Sequence, residues 1–292
     1  GGDGSNSEVA ISGFHTNVIR KRRNGQLLLQ REEAAERESP CDEKSLLSIE
    51  GALEFADTVE LDDVRALVQR QIDYNYAIAQ EGLRGNYGAN IGSVLLKHDG
   101  DDVKVRAKAY AAAGSDARMN GCELPVVIVS GSGNQGITSS VPVVVYAKEL
   151  GVSEEKMLRA VVLSDLITIH QKSGIGRLSA YCGAVSAGVG AGCGIAWLRG
   201  ADYEGICHTI TNAAAMISGC ICDGAKASCA SKIAMGVETG ILGYNMYLRG
   251  NSFQPGDGIV GRDVEETIRN VGILASQGMK ETDRVILKIM TE

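Results

Sequence analysis

The segment from residue 178 to 198, LSAYCGAVSAGVGAGCGIAWL, carries no charge and is dominated by glycine and alanine. It is long enough to span a bilayer, and its Gly188-x-x-x-Gly192 spacing lets two helix backbones approach closely. Its small residues make it only modestly hydrophobic, and no second segment of this kind accompanies it. We therefore predict a helix buried in a protein core, without a membrane span.

Glycine and proline content extends this expectation to most of the chain. The 292 residues include 37 glycines but only 4 prolines, and aromatic residues make up 4%. Few prolines favour long helices, and many small side chains allow those helices to pack closely. Apolar periodicity predicts helices over 61–83, 153–171, 203–219 and 261–279, with Ser153 as an N-cap.

The first forty residues have a different pattern. Residues 8–30 predict a two-stranded hairpin with Asn24-Gly25 at its turn. Because a lone hairpin is unstable in water, it should belong to a larger α/β domain whose remainder was removed or is supplied by another chain. The predicted class is α+β, with a partial α/β domain at 1–40 and a mostly all-α domain with glycine-rich helix packing at 41–292.

Charge and targeting signals narrow the function classes. The net charge of −7 disfavours nucleic acid as a partner, because phosphate binding needs a concentrated basic surface. No signal peptide is visible in GGDGSNSEVA, and the eight cysteines do not resemble a small secreted scaffold. We expect reduced thiols in a cytoplasmic protein, with a homodimer favoured by the open hairpin edge and the small-residue helices.

The glycine-rich segment SGSGNQGI at 130–137 allows three interpretations. Its G-x-G-x-x-G spacing matches a dinucleotide fingerprint, but Pro142 should interrupt the helix that this motif needs. A loop of free N–H groups at a helix N-terminus, able to bind a substrate carboxylate, fits better. A plain turn between helices is the third. The anion-binding interpretation assigns to the substrate Ser130, Ser132, Gly133, Asn134, Gln135 and Gly136.

Three cysteines lie close together in SGCICDGAKASC, at positions 220, 222 and 229. On a regular helix, Cys222 and Cys229 would share a face, and Cys182 and Cys193 could share another. Spacing alone leaves open a disulfide, a metal site and ordinary core packing; the absence of a C-x-x-C pair disfavours a zinc ribbon. Cys41, Cys122 and Cys207 are predicted to be core thiols.

Several motifs together resemble a known family. They are GFHTN (13–17), AIAQEGL (77–83), GSDARMNG (114–121), SGSGNQGITSSVPVVV (130–145), RLSAYCGAVSAG (177–188) and ICDGAKASC (221–229). In this order they resemble the L-cysteine desulfidase and serine dehydratase α-chain-like family, over about residues 9–290.

The resemblance implies an oxygen-sensitive [4Fe–4S] cluster held by Cys182, Cys222 and Cys229, with one iron open as a Lewis acid. It implies a lyase that eliminates sulfide from L-cysteine or water from L-serine, giving pyruvate and ammonia without pyridoxal phosphate. His15, Thr16 and Asn17 match a family motif and could face the substrate, as could His170 and Arg177, the candidate catalytic residues. For His170, a hydrogen-bonded structural role is the alternative.

The sequence departs from the family at one point. Longer members carry an additional N-terminal segment with a GCTEP-like motif, whose cysteine is a candidate base, and this sequence has no such motif. A non-catalytic cluster-binding or amino-acid-binding protein, or one subunit of a split enzyme, is therefore the alternative to a lyase. A nucleotide-binding oxidoreductase ranks last and would require a parallel sheet near residue 130.

Overall fold

The computed structural model describes residues 1–12, 17–31, 46–176 and 179–292. These residues form two compact units, Gly1–Leu46 and Leu47–Glu292. The smaller unit contains a β-sheet and the larger one is helical, which confirms the predicted α+β class. The boundary predicted between residues 40 and 41 lies outside the described residues.

The described residues of the smaller unit form three antiparallel strands in the order β1 (Ser7–Ile11), β2 (Val18–Arg23) and β3 (Gln26–Gln30). Asn24 and Gly25 have φ of 49° and 79°, as the predicted two-residue turn between β2 and β3 requires. The prediction of two strands over residues 8–30 misses one strand, because β1 precedes the hairpin formed by β2 and β3. β1 pairs antiparallel with β2, and next to this pairing the Ser12 N–H donates to the Asn17 carbonyl at 3.1 Å.

The larger unit is built from helices. Their bounds are α1 (Ile49–Thr58), α2 (Leu61–Arg84), α3 (Ile91–Asp99), α4 (Val103–Met119), α5 (Gly133–Glu149), α6 (Glu154–Ile175), α7 (Gly183–Leu198), α8 (Tyr203–Ile217), α9 (Cys229–Tyr247), α10 (Val264–Ile273) and α11 (Lys280–Thr291), with a π-helical turn at Leu274–Gly278. The four predicted helices correspond to α2, α6, α8 and α10. Ser153 caps α6, because its Oγ accepts from the Lys156 N–H at 3.2 Å.

Helix α7 lies at the centre of this unit, in contact with α5, α6, α8 and α9. Every residue from Gly183 to Leu198 except Trp197 is buried. Close packing depends on its glycines: a Cβ on Gly192 would lie 2.6 Å from the carbonyl carbon of Gly240 in α9. The prediction of a buried helix is confirmed. No described helix has the length and apolar character needed to cross a membrane.

Helix α5 corrects the prediction made for Pro142. The helix runs from Gly133 to Glu149 with Pro142 inside it, instead of being interrupted there. Proline removes one helical hydrogen bond and costs about 3 kcal/mol in a helix interior. All residues from Gly133 to Ala147 are buried, so packing on both sides of the proline outweighs this cost.

The segment before α5 is not a strand. In the described residues around position 130, pairing is limited to an isolated bridge between Val129 and Ser132, so the sheet required by a dinucleotide-binding unit is missing there. Asn75 of α2 holds this segment in place: its Nδ2 donates to the Val127 carbonyl at 3.1 Å, and its Oδ1 accepts from the Val127 N–H at 2.9 Å. A buried amide therefore fixes the chain that leads into the glycine-rich loop.

A second buried polar contact joins α2, α5 and α6. The Oδ1 atom of Asp165 accepts from Ser139 Oγ at 2.7 Å and from Gln71 Nε2 at 3.0 Å. Burial raises the pKa of Asp165 to about 6, although these hydrogen bonds oppose the shift. The carboxylate form therefore lowers the stability of the folded protein.

We expect Asp165→Asn to change the pH dependence of stability. The folded-state pKa lies above 3.8, the ordinary value for an aspartate, so the folded protein keeps this proton to higher pH than the unfolded chain, and its stability falls as pH rises from about 4 to 6. Because the Asn Oδ1 can still accept both hydrogen bonds, the variant should match the wild type near pH 4 and exceed it by up to about 2–3 kcal/mol at pH 8. Urea unfolding at both pH values measures this difference. The prediction would be contradicted if the variant and the wild type differed in unfolding free energy by the same amount at pH 4 and at pH 8.

Candidate functional site

Two short segments bring the cysteines together. The Cys182 N–H donates to the Cys220 carbonyl at 3.1 Å, and the Cys222 N–H donates to the Ala180 carbonyl at 2.6 Å, around an antiparallel bridge between Tyr181 and Ile221. This pairing places the Cys182 thiol against the thiols of Cys220 and Cys222. It is a loop contact, so the helical face predicted for Cys222 and Cys229 is wrong.

Cys229 occupies a separate position in the same loop. It is the first residue of α9, and its Sγ accepts from the Lys226 N–H at 3.5 Å and donates to the Gly224 carbonyl at 3.6 Å. Among the described residues, no group of three or more His, Cys, Asp or Glu side chains is arranged to hold a metal ion. The structure thus brings Cys182 and Cys222 into contact and leaves Cys229 nearby in sequence, without a completed three-ligand group.

Contacts among the thiols determine which of them ionises. The hydrogen bond with Cys220 raises the pKa of Cys182 to about 11, whereas that contact and the charge of Lys232 lower the pKa of Cys220 to about 7. The hydrogen bond with Cys182 and burial raise the pKa of Cys222. Metal binding by Cys182 and Cys222 would have to release their protons.

Lys232 supplies positive charge beside these thiols. It lies on α9, is paired with Asp223, and acts electrostatically on Cys182 and Cys220. Burial lowers the pKa of Lys232, but the hydrogen bond and charge of Asp223 outweigh this effect, and the pKa is raised. The side chain is therefore a protonated counter-charge.

The glycine-rich loop lies against the start of α7. Ser132 is the N-cap of α5, and its Oγ accepts from the Gln135 N–H at 3.5 Å. The side chain of Gln135 covers the first residue of α7, so a Cβ on Gly183 would collide with its amide. The N-terminal ends of α5 and α7 therefore converge next to Cys182, and both helix dipoles favour negative charge there.

Arg118, at the end of α4, connects this region with α9. Its Nη1 donates to the Asn134 Oδ1 at 3.2 Å, and its guanidinium packs against Gly133, where a Cβ would collide with it. Burial lowers its pKa, while the charge of Cys229 opposes that shift. Neither Arg118 nor Lys232 was identified from the sequence, although Arg118 lies within the motif GSDARMNG.

The remaining predicted residues lie elsewhere or outside the described residues. His170 of α6 pairs through Nε2 with Glu265 Oε2 at 2.7 Å, and Glu265 Oε1 accepts from the Ile49 N–H at 2.9 Å. These contacts join α6, α10 and α1, which gives His170 a structural role; its predicted catalytic role stays a prediction.

Asn17 donates to the Ser12 carbonyl at 2.8 Å in the smaller unit. Ser130, at φ 48°, and Gly131 form the turn before α5, and Gly136 packs on Val127. His15, Thr16, Arg177 and Cys41 are outside the described residues.

The fold and the site define an α+β protein with a thiol-rich centre where helix N-termini converge. The chain belongs to the serine dehydratase alpha chain family, whose model matches residues 20–288. This confirms the family proposed from the sequence motifs.

Curated relatives agree with this membership. The chain is 56% identical over 283 residues to UPF0597 protein DSY1109 of Desulfitobacterium hafniense, covering 97% of this chain and 66% of the relative. It is 53% identical over 288 residues to a UPF0597 protein of Lachnoclostridium phytofermentans, covering 98% and 69%, and 46% identical over 294 residues to UPF0597 protein FN1147 of Fusobacterium nucleatum, covering 99% and 69%. The chain thus spans about two thirds of their length. No solved structure matches the chain.

Proposed function

We propose that the chain is the cluster-bearing part of an iron–sulfur-dependent lyase that acts on L-cysteine or L-serine. The observation that carries this proposal is the contact between Cys182 and Cys222 beside the N-terminal ends of α5 and α7. Thiolates are the ligands that iron–sulfur clusters prefer. The donor set fits such a group in its chemistry, with Cys182 and Cys222 already in contact, and we propose Cys229 as the third ligand, which would have to move towards them because the described residues form no completed three-ligand group.

A bound [4Fe–4S] cluster would supply an open iron as a Lewis acid for the leaving group. The protein's own residues would hold the amino acid: the first N–H groups of α5, at Gly133 and Asn134, have no intrahelical acceptor, as at any helix N-terminus, and can donate to a carboxylate. Loss of the α-proton together with the β-substituent, as hydrosulfide from cysteine or hydroxide from serine, leaves aminoacrylate, and addition of one water to it gives pyruvate and ammonia. Lys232 stays paired with Asp223, which argues against a Schiff-base role for it.

A second candidate is a part of a larger or split enzyme that binds the cluster or the amino acid without completing turnover. It is favoured by the length comparison, since about one third of each relative has no counterpart in this chain. In that case the base that removes the α-proton lies in the remaining third.

Iron and sulfide analysis of anaerobically reconstituted protein, with pyruvate release from L-cysteine and L-serine, tests both candidates. We expect about four irons per chain, and pyruvate from one of the two substrates identifies the leaving group. Iron without pyruvate would favour the second candidate. Protein that takes up no iron under these conditions would contradict the lyase and the cluster-binding form of the second candidate, and would leave these cysteines as packed thiols.

A further inference from the structure

Arg118 is a half-buried arginine that lacks a carboxylate partner in the part of the chain that the structure describes. Its hydrogen bonds run to Asn134 Oδ1 at 3.2 Å and to the Met119 sulfur at 3.9 Å, both neutral acceptors. Arginines of this burial ordinarily pair with an anion, because taking a guanidinium out of water is costly. Arg106, on the same helix, shows the ordinary arrangement and pairs with Glu149.

Gln135 provides an independent second observation. It is 5% exposed, and its Oε1 atom is buried without a hydrogen-bond partner among the described residues. A buried amide oxygen left unpaired costs about 1–3 kcal/mol, so it indicates a donor that is missing from the isolated chain. This side chain lies over Gly183, next to Cys182.

Arg118 and Gln135 flank the same end of α5. Arg118 packs on Gly133 and contacts Asn134, and Gln135 is the third residue of the helix. The region therefore offers a cation and free N–H donors on one side and an unpaired acceptor on the other. Those groups complement a zwitterion, with its carboxylate and its ammonium.

We propose that Arg118 binds the α-carboxylate of the amino-acid substrate, and that Gln135 Oε1 accepts a hydrogen bond from its α-ammonium group. This assignment rests on the proposed function and adds to it the residues that recognise an α-amino acid. Recognition is independent of the leaving group, so L-cysteine and L-serine would bind in the same way.

The test uses L-alanine, which has both charged groups but no leaving group, and L-alaninamide, which keeps the ammonium and replaces the carboxylate with a neutral amide. Calorimetry on the reconstituted protein gives the two dissociation constants. We expect the wild type to prefer L-alanine by at least about 10-fold, as for a charge-assisted pair. Arg118→Gln should reduce this preference to about 1, while Arg106→Gln should leave it unchanged.

Arg118→Lys covers the case in which Arg118→Gln fails to fold. It keeps the charge but loses the planar two-donor geometry, so the preference should fall several-fold without disappearing. An unchanged preference in the folded Arg118 variants would overturn the assignment alone. Loss of iron from those variants would also overturn it, because Arg118 would then act on the thiolates. A wild type that holds iron but binds neither ligand would overturn the proposed amino-acid function itself.

Discussion

Cys182→Ala is expected to abolish iron binding, reducing about four irons per reconstituted chain to background. Cys182 is the N-cap of α7, and its thiol contacts those of both Cys220 and Cys222. Its removal takes away a ligand and the sulfur atom that contacts Cys222 and Cys220. Pyruvate release should be lost with the iron. Iron and acid-labile sulfide measured on anaerobically reconstituted protein check this result.

Two controls make this experiment specific. Cys193→Ala, on the same helix but fully buried away from the loop, should retain the iron content of the wild type. Cys220→Ala distinguishes the ligand sets. With Cys182, Cys222 and Cys229 as ligands, Cys220→Ala keeps most of the iron and Cys229→Ala loses it. The opposite result would assign Cys220 as the third ligand, in line with its contact to Cys182, and would contradict the set implied by the motifs.

The helices and the main turn could be predicted from local signals. Apolar periodicity and the cap at Ser153 place α2 and α6 within a few residues, and Asn24-Gly25 fixes the turn between β2 and β3. These features depend on interactions a few residues apart, which a single sequence contains. The buried position of α7 also follows from composition, because an uncharged helix rich in small residues must be covered on all sides.

The predictions are wrong where contacts between residues far apart in the sequence determine the local structure. Pro142 signals a helix end, but burial along the whole of α5 outweighs the local cost. The spacing of Cys222 and Cys229 fits one helical face, whereas the 220–222 segment pairs with 180–182 and lies in the non-helical segment between α8 and α9. Arg118 could not be identified from its own neighbours in sequence, since its significance depends on Gly133 and Cys229, which belong to other helices.

The glycines between α7 and α9 have consequences for the site as well as for the fold. Cys182 precedes the first residue of α7, and Cys229 is the first residue of α9. The separation of the two helix axes therefore affects where these two cysteines lie. Gly188 lies one and a half turns into α7, so a change in its packing acts on both ends of the thiol-rich loop.

Gly188→Val is expected to be strongly destabilising. Even the Cβ of a side chain at this position would lie 2.5 Å from the carbonyl oxygen and 2.7 Å from the Cα of Gly236, and backbone atoms cannot move aside as a side chain can. Separating α7 from α9 should cost about 3 kcal/mol or more, since overpacking alone costs about 1–3 kcal/mol and valine adds two methyl groups. For a unit of this size we expect the Tm to fall by roughly 6–12 °C.

Gly236→Ala is the matched control, because it changes the same helix pair from the opposite side. The nearest atom to a Cβ there is the Ala184 carbonyl oxygen at 3.2 Å, a contact that a shift of a few tenths of an ångström relieves. The higher helix propensity of alanine, worth about 1 kcal/mol, offsets that shift, so the Tm should change by no more than about 3 °C. Thermal unfolding and iron content measured on both variants test the arrangement together. Gly188→Val should lose stability and iron, whereas Gly236→Ala should retain both. Equal losses from the two substitutions would contradict the close α7–α9 contact, because that contact leaves less space for a side chain at Gly188 than at Gly236.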